Sequence, residues 1–274
     1  MHSNIQDSNS TGMFRCLVKY RMMIWELTKR EVVGRYKGSI LGLAWSFFNP
    51  LIMLALYTIV FNTIFQGRWI GGTGSKTEFA LVLFIGMIMH GVIAETLGRS
   101  PALIIGNVSY VKKIVFPLEI LPWIMMGATL FHALVSIAVW ILFYLLVNQS
   151  LQWTIIFLPL LLFPLILLSM GLSWFFASLG VYLRDIRQIT AVISSILLFL
   201  SPVFYPVSRL PEPYRTLMYI NPMTYIMEEA RAVMMWGEWP DFRGLIIITI
   251  IGMLVAKLGF IWFQNTKKGF ADVL

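Results

Sequence analysis

The sequence predicts an all-α polytopic membrane protein. Of its 274 residues, 58% are hydrophobic and only 12% are charged, whereas an ordinary globular domain is about 45–50% apolar and about 25% charged. Apolar runs such as Leu118–Val147 and Thr154–Val181 exceed the roughly 20 residues that cross a hydrocarbon core. These observations exclude a disordered tail and a cytosolic enzyme.

Uninterrupted apolar stretches predict six transmembrane helices. Their approximate bounds are Ile40–Phe65, Phe79–Leu97, Pro117–Val147, Trp153–Leu183, Ile189–Pro202 and Leu245–Phe263. The fifth is short for a full crossing, and two prolines, Pro202 and Pro206, end it. Residues 207–241 are too polar to span, so we expect one or two short re-entrant or surface helices there, which membranes tolerate where protein buries them.

Basic residues predict the orientation. Near the span ends, fourteen Lys and Arg lie on the side of the two termini and six lie on the other side. Positive residues favour the cytoplasm, so both termini are expected to be cytoplasmic. The net charge of +8 is therefore attributed to contact with anionic lipid and not with nucleic acid.

A polar tail, residues 1–12, precedes a predicted basic amphipathic helix at 13–38. One face carries Phe14, Leu17, Val18, Met22, Trp25, Val32 and Tyr36, and the other carries Arg15, Lys19, Glu26, Arg30 and Lys37. Glu26–Arg30 and Glu31–Arg35 have the spacing of i,i+4 ion pairs. Such a helix lies in the lipid interface, and a role in docking a cytoplasmic protein is equally open. The membrane domain follows at 39–264, and 265–274 form a C-terminal tail.

Candidate chemistry on the chain is sparse. Gly71–Thr77 resembles a phosphate-binding loop, but Ser75 stands directly before Lys76, where the motif needs glycine. We therefore interpret the segment as a flexible loop and expect any ATP hydrolysis to take place on another chain. His90 and His132 are isolated, and no metal site or cofactor is expected. Glu95 and Arg99 have the spacing of an ion pair. A membrane enzyme that uses either histidine and a self-sufficient proton-coupled carrier are the alternatives.

Two residue patterns have more than one interpretation. Gly34, Gly38, Gly42 and Ser46 recur every four residues, which favours close helix packing within the chain or against a second copy. Aromatic residues form two groups: Phe47, Tyr57, Phe61 and Phe65 share a face of the first span, and Phe199, Phe204 and Tyr205 close the fifth. Aromatic stripes are usually packing or interfacial belts, and the alternative is a surface on which sugar rings stack.

Five motifs together resemble a known family. Arg35–Ser46, followed by Asn49–Leu51, resembles the start of type-2 ABC exporter permeases for polysaccharides. The others, in the same order, are Val111–Pro122, Arg184–Gln188, Leu200–Pro206 and Asn221–Met223. The set is most similar to O-antigen (lipopolysaccharide) export permeases, with capsule and teichoic acid exporters as relatives.

The resemblance implies a machine of several chains. It implies a homodimer of six-helix subunits in the bacterial inner membrane, bound to two ATPase subunits that carry ATP and Mg²⁺. The dimer would move an undecaprenyl-diphosphate-linked polysaccharide outward between its subunits. Residues 104–113 would form the coupling helix, 13–38 the interface helix and 202–235 the outer gate helices.

The resemblance also implies roles for particular residues. The expected ATPase-coupling residues are Ile104, Ile105, Asn107, Tyr110, Lys112, Lys113, Arg184, Asp185 and Arg187. The two aromatic groups would line the glycan path. Arg30, Arg35 and Lys37 would form a basic rim that gathers the lipid diphosphate.

Overall fold

The computed structural model of the chain describes residues 12–60, 76–112 and 116–274, and these residues form helices and no strand. The helices are α1 (Met13–Lys19), α2 (Arg21–Arg35), α3 (Trp45–Ile59), α4 (Lys76–Arg99), α5 (Val108–Val111), α6 (Leu121–Asn148), α7 (Leu158–Tyr182), α8 (Ile186–Leu200), α9 (Glu212–Met218), α10 (Pro222–Arg231), α11 (Phe242–Thr266) and α12 (Phe270–Val273). Short 3₁₀ turns extend several of them, and a π-helical turn, Ala232–Trp236, follows α10.

Five helical stretches of the described chain are long and apolar enough to cross a membrane. They are Gly42–Ile59, Thr77–Ala102, Leu118–Asn148, Trp153–Tyr182 and Phe242–Val273. They agree with five of the six predicted spans. The remaining one corresponds to α8, which has 15 residues and at 1.5 Å per residue is about 22 Å long, shorter than a hydrocarbon core of about 30 Å.

The bundle is built around α4 and α7. Helix α4 packs against α3, α6, α7, α8 and α10, and α7 packs along α11. Glycine permits the close approach of α7 and α11, because a Cβ on Gly259 would overlap the backbone of Gly171, and a Cβ on Gly171 would overlap that of Val255. Since lipid is as apolar as the helices, this packing is what holds the bundle together.

The two ends of the bundle differ in what they carry. At one end, here called the basal end, lie α1, residues 100–112 and 116–120 of the connection between α4 and α6, and the C-terminal α12. At the other, the apical end, the α6–α7 connection meets the segment after α10. There the Thr154 hydroxyl donates to the Val233 carbonyl at 2.6 Å, and the Trp153 and Trp239 rings lie 4.9 Å apart.

The predicted single helix at 13–38 is wrong in detail, because it is two helices. Tyr20 separates α1 from α2, and α2 ends at Arg35. The four-residue glycine repeat does not pack within the chain either: Gly38 and Gly42 have φ of +86° and +51°, and a Cβ on Gly34, Gly38 or Gly42 would meet no atom within 4 Å. Gly34 lies within α2, whereas Gly38 and Gly42 provide a turn between α2 and α3.

Candidate functional site

Ion pairs join α2 to α4 at the basal end. Arg35 Nη1 lies 2.6 Å from Glu95 Oε1, and Arg99 Nη1 lies 3.0 Å from the same oxygen. Arg99 also pairs with Glu31 of α2. The predicted Glu95–Arg99 pair is thus confirmed, and four charges from two helices form one network.

The two ion pairs predicted within the N-terminal helix are wrong. Glu31 and Arg35 each bond to α4, as described above, and Glu26 pairs with Lys29 at 2.7 Å. An exposed ion pair contributes little to stability. In the network, Glu31 and Arg35 each pair with a residue of α4 that is less exposed than the partner predicted within α2. The consequence is that α2 is tied to a membrane span.

Helix α2 also contacts α6. The Thr28 hydroxyl donates to the Ile124 carbonyl at 3.4 Å, and a Cβ on Gly127 would overlap the Thr28 side chain. At the end of α2, Tyr36 Oη lies 3.4 Å from His132 Nδ1, with the rings edge to face. Movement of α2 would therefore displace both α4 and α6.

The face that α2 buries differs from the predicted one. On α2, Val32 of the predicted apolar face is buried together with Ile24, whereas Met22 and Trp25 of that face are exposed. Val18 of α1 is exposed as well. An exposed apolar row beside basic residues is typical of a helix that lies in the lipid interface.

Two of the predicted coupling residues and two of the three residues of the predicted basic rim line one groove. The groove, of about 600 Å³, lies between α2 and the stretch Leu103–Tyr110, and its lining includes Arg30, Lys37, Asn107 and Tyr110. Sequence reasoning assigned these residues to two separate sites. The structure brings them to one basal surface.

The predicted coupling helix, 104–113, is shorter and less regular than expected. A 3₁₀ turn, Ile105–Asn107, leads into the four-residue α5. Ile104 is fully buried, whereas Ile105 and Lys112 are exposed. Tyr110 stacks on Phe116 at 4.2 Å between ring centroids, which fixes α5 against the start of the next span. Lys113 lies outside the described residues.

The other predicted coupling residues stand on the second basal connection. Arg184, Asp185 and Arg187 are exposed at the start of α8. This helix start lies near Ser100–Ala102, and the backbone of Pro101 abuts Gly180 so closely that a Cβ on the glycine would overlap it. The two basal connections therefore meet.

Cys16 reports the environment of α1. Its side chain is fully buried, and burial, reinforced by the nearby carboxylate of Glu119, raises the pKa of the Cys16 thiol to about 12. Lys267 lies 3.4 Å from Glu119, which places the C-terminal end beside α1.

The described members of the two predicted aromatic groups lie on α3 and at the end of α8, and both helices pack against α4. The Phe199 and Phe204 rings are 6.1 Å apart, and the Tyr205 hydroxyl donates to the Phe199 carbonyl at 2.7 Å. On α3, Phe47 is exposed and Tyr57 is half-buried. Phe61 and Phe65 lie outside the described residues. Contact of the two groups with a glycan stays a prediction.

Sequence reasoning missed Arg231, which it counted among the basic residues of an outer loop. The side chain is fully buried at the end of α10. It donates to the carbonyls of Val82 on α4, at 3.2 Å, and of Val203 after α8, at 3.0 Å, and pairs with Glu228 at 2.8 Å. The acid-first i,i+3 spacing of Glu228 and Arg231 was the one available signal.

Residues 207–241 contain the short helices expected there. These are α9 and α10, and α10 packs against α4 and α7. Asn221 caps α10 by accepting from the Met223 N–H at 3.0 Å. Among the described residues, no group of three or more His, Cys, Asp or Glu side chains could hold a metal ion.

Comparison with known proteins identifies the class. The family model of the ABC-2 type transporter matches residues 22–235, and the chain belongs to this family of membrane transporters. With its long apolar helices, it is a multi-pass membrane protein.

Individual relatives are similar over nearly their whole length. The O-antigen export system permease protein RfbA of Myxococcus xanthus is 23% identical over 95% of this chain and 98% of its own length. The protein of the same name from Klebsiella pneumoniae is 24% identical over 90% and 93%. The polysialic acid transport protein KpsM of Escherichia coli is 24% identical over 90% and 95%.

Proposed function

We propose that this chain is the permease subunit of an ATP-driven exporter of lipid-linked polysaccharide, with O-antigen as the cargo. The observation that carries the proposal is the similarity, over more than nine-tenths of each relative, to proteins named for O-antigen export and polysialic acid transport. Because one of these relatives is a polysialic acid transport protein, a capsule polysaccharide is the alternative cargo.

The basal end is proposed to face the cytoplasm and a separate ATPase subunit. Support comes from the excess of basic residues on the side of the termini. Support also comes from the exposed residues of the two basal connections, Ile105, Lys112, Arg184 and Arg187, which an ATPase could contact. ATP and Mg²⁺ belong to that partner in this scheme, and the permease itself is no enzyme.

Coupling is proposed to pass through α2. An ATPase that moves α5 or α2 would transmit the displacement to α4 through the Arg35–Glu95 and Arg99–Glu31 pairs, and to α6 through Thr28. Such a movement increases the population of an open state of the permease only to the extent that the ATPase binds the open state more tightly than the closed state.

Two copies of the chain are proposed to enclose the path. Helices α3 and α8 both carry exposed apolar side chains, among them Phe47, Ile52, Ile196 and Phe199, which a second subunit or lipid must cover. We propose that α8 completes a sixth crossing and that α9 and α10 form the outer gate. Aromatic rings beside the path let sugar rings slide, whereas tight sites would stall a polymer.

Basic residues at the cytoplasmic rim are proposed to gather the cargo. Arg30 and Lys37 line the basal groove and are exposed. A diphosphate is costly to place in hydrocarbon, so positive charge at the membrane surface would collect it before transport.

The test of the proposed partner is site-specific cross-linking. Cys16 is the single cysteine and is buried, so Ser109→Cys, on the exposed surface of α5, gives one accessible thiol at the basal end. We expect it to cross-link to an ATPase subunit in cells. Ser150→Cys, exposed at the apical end, is the matched control and is expected to give no such product. A product from position 150 and none from position 109 contradicts the assignment of the basal end.

A further inference from the structure

A cavity with a mostly apolar lining and a few polar groups lies between helices of the bundle, apart from the basal groove. Its volume is about 270 Å³, and it is enclosed by α3, α4 and α6, with the end of α2 at its mouth. The wall on the α3 side contains Pro50, and that on the α4 side contains Gly91. The cavity has room for several water molecules or for one small ring.

Two polar groups that line this cavity lack a partner. Thr129 is 2% exposed, and its Oγ1 makes no hydrogen bond. His132 Nε2 is buried without a partner, although Nδ1 of the same ring contacts Tyr36. Buried polar atoms are nearly always paired, because leaving one unpaired costs stability. The unpaired Thr129 hydroxyl and His132 Nε2 therefore indicate a ligand that carries hydroxyl groups.

The remaining lining narrows the class of ligand. Tyr57 and Phe84 supply aromatic surface, and Ser136 supplies a further hydroxyl. The charged side chains of the lining are Arg35 and Glu95, which bond to each other at 2.6 Å at the mouth. A mostly apolar wall with a few placed polar groups is the usual form of a small-molecule site, and this one suits a neutral ring with both a C–H face and hydroxyls.

We propose that this cavity binds one neutral sugar ring of the cargo, at the end of the glycan nearest its lipid. The inference rests on the proposed function, because a glycan must be the cargo. In this arrangement the half-exposed guanidinium of Arg35 stands where an adjoining phosphate would lie. Each subunit would thus hold the first sugar before the polymer moves.

The test compares two lipids on the complete complex of permease and ATPase in nanodiscs. One probe is polyprenyl diphosphate carrying a single N-acetylhexosamine, and the other is polyprenyl diphosphate alone. The readout is the lipid concentration that half-maximally stimulates ATP hydrolysis. Thr129→Val removes the unpaired hydroxyl and keeps the side-chain shape, so we expect about tenfold weaker response to the sugar-bearing lipid, the size of one hydrogen bond. The response to the bare lipid is expected to stay unchanged.

A second variant and a control make the result specific. Gly91 lines the cavity, and a Cβ there meets no atom within 4 Å. Gly91→Leu would therefore fill part of the cavity and is expected to abolish the preference for the sugar-bearing lipid. Ser169→Ala removes a buried hydroxyl that is likewise unpaired but lies on α7 outside the cavity, and is expected to behave as wild type.

The outcomes separate this inference from the proposed function. If wild type prefers the sugar-bearing lipid and both cavity variants retain that preference, the cavity holds water only and the inference is wrong. If the wild-type complex responds to neither lipid and exports no glycan, the proposed function fails and takes the inference with it.

Discussion

The guanidinium of Arg35, at the end of α2, lies 2.6 Å from the carboxylate of Glu95 on α4. Sixty positions separate the two residues, so this bond joins the N-terminal helix to a span at the centre of the bundle. Glu95 also accepts from Arg99, which in turn pairs with Glu31. The carboxylate of Glu95 is thus the shared acceptor of the network.

Glu95→Gln tests that role. Removing the carboxylate charge leaves two guanidinium groups without their common partner, and we expect a loss of about 1 kcal/mol, the upper range for pairs as exposed as these, with reduced export. Thermal unfolding of the purified protein measures the first effect. Glu26→Gln, which removes the exposed Glu26–Lys29 pair within α2, is the control. Equal effects from the two variants would show that the network does not couple the helices.

Arg231 provides a second test, at the opposite end of α10 from its Asn221 cap. Arg231→Ala leaves Glu228 without its cation and removes the side-chain donor from the carbonyls of Val82 and Val203, so we expect a loss of about 3–5 kcal/mol. The double variant Arg231→Met with Glu228→Gln removes both charges and is expected to recover most of that loss. Chemical denaturation in detergent compares them, with the exposed Arg243→Ala as a control. A double variant no better than the single one would mean that the ion pair is not the cause.

Gly259→Ala tests the contact of α7 with α11. A methyl group there would overlap the backbone of Gly171, and backbone cannot rotate away, so overpacking is expected to cost about 1–3 kcal/mol. Gly98→Ala, at a helical position where a Cβ meets no atom within 4 Å, is expected to be neutral or stabilising. The folded fraction by size-exclusion chromatography decides, and an undisturbed Gly259 variant would exclude this close approach.

Cys16 gives a prediction about pH. Because burial raises the thiol pKa from 9.0 to about 12, the docked α1 binds a proton that the free helix loses. This contribution to docking is complete below pH 9 and declines as the pH rises from 9 towards 12. We expect maleimide to label Cys16 slowly at pH 8 and faster at pH 10, with full labelling after denaturation. Rapid labelling of the native protein at pH 8 would mean that α1 is not docked.

Sequence patterns predicted the spans well and the ionic contacts poorly. Apolar run length alone placed α4, α6, α7 and α11, because the hydrocarbon thickness sets that length. Local spacing predicted an ion pair between Glu31 and Arg35, but both side chains pair with residues of α4. The i,i+4 rule considers only neighbours on the same helix and cannot predict such tertiary partners. The same limit applied to Arg231, whose partners include, besides the neighbouring Glu228, carbonyls from two distant segments. The cavity residue Thr129 was invisible to sequence reasoning, since its hydroxyl gains meaning only from three helices that meet.

Transport in reconstituted vesicles tests the central claim, that this permease draws its energy from a separate ATPase. Proteoliposomes would hold the permease alone or with its ATPase, and the measurement is ATP-dependent movement of lipid-linked glycan to the opposite leaflet. We expect movement only with both chains and ATP present. Movement by the permease alone, or movement that a proton gradient drives without ATP, would contradict the account.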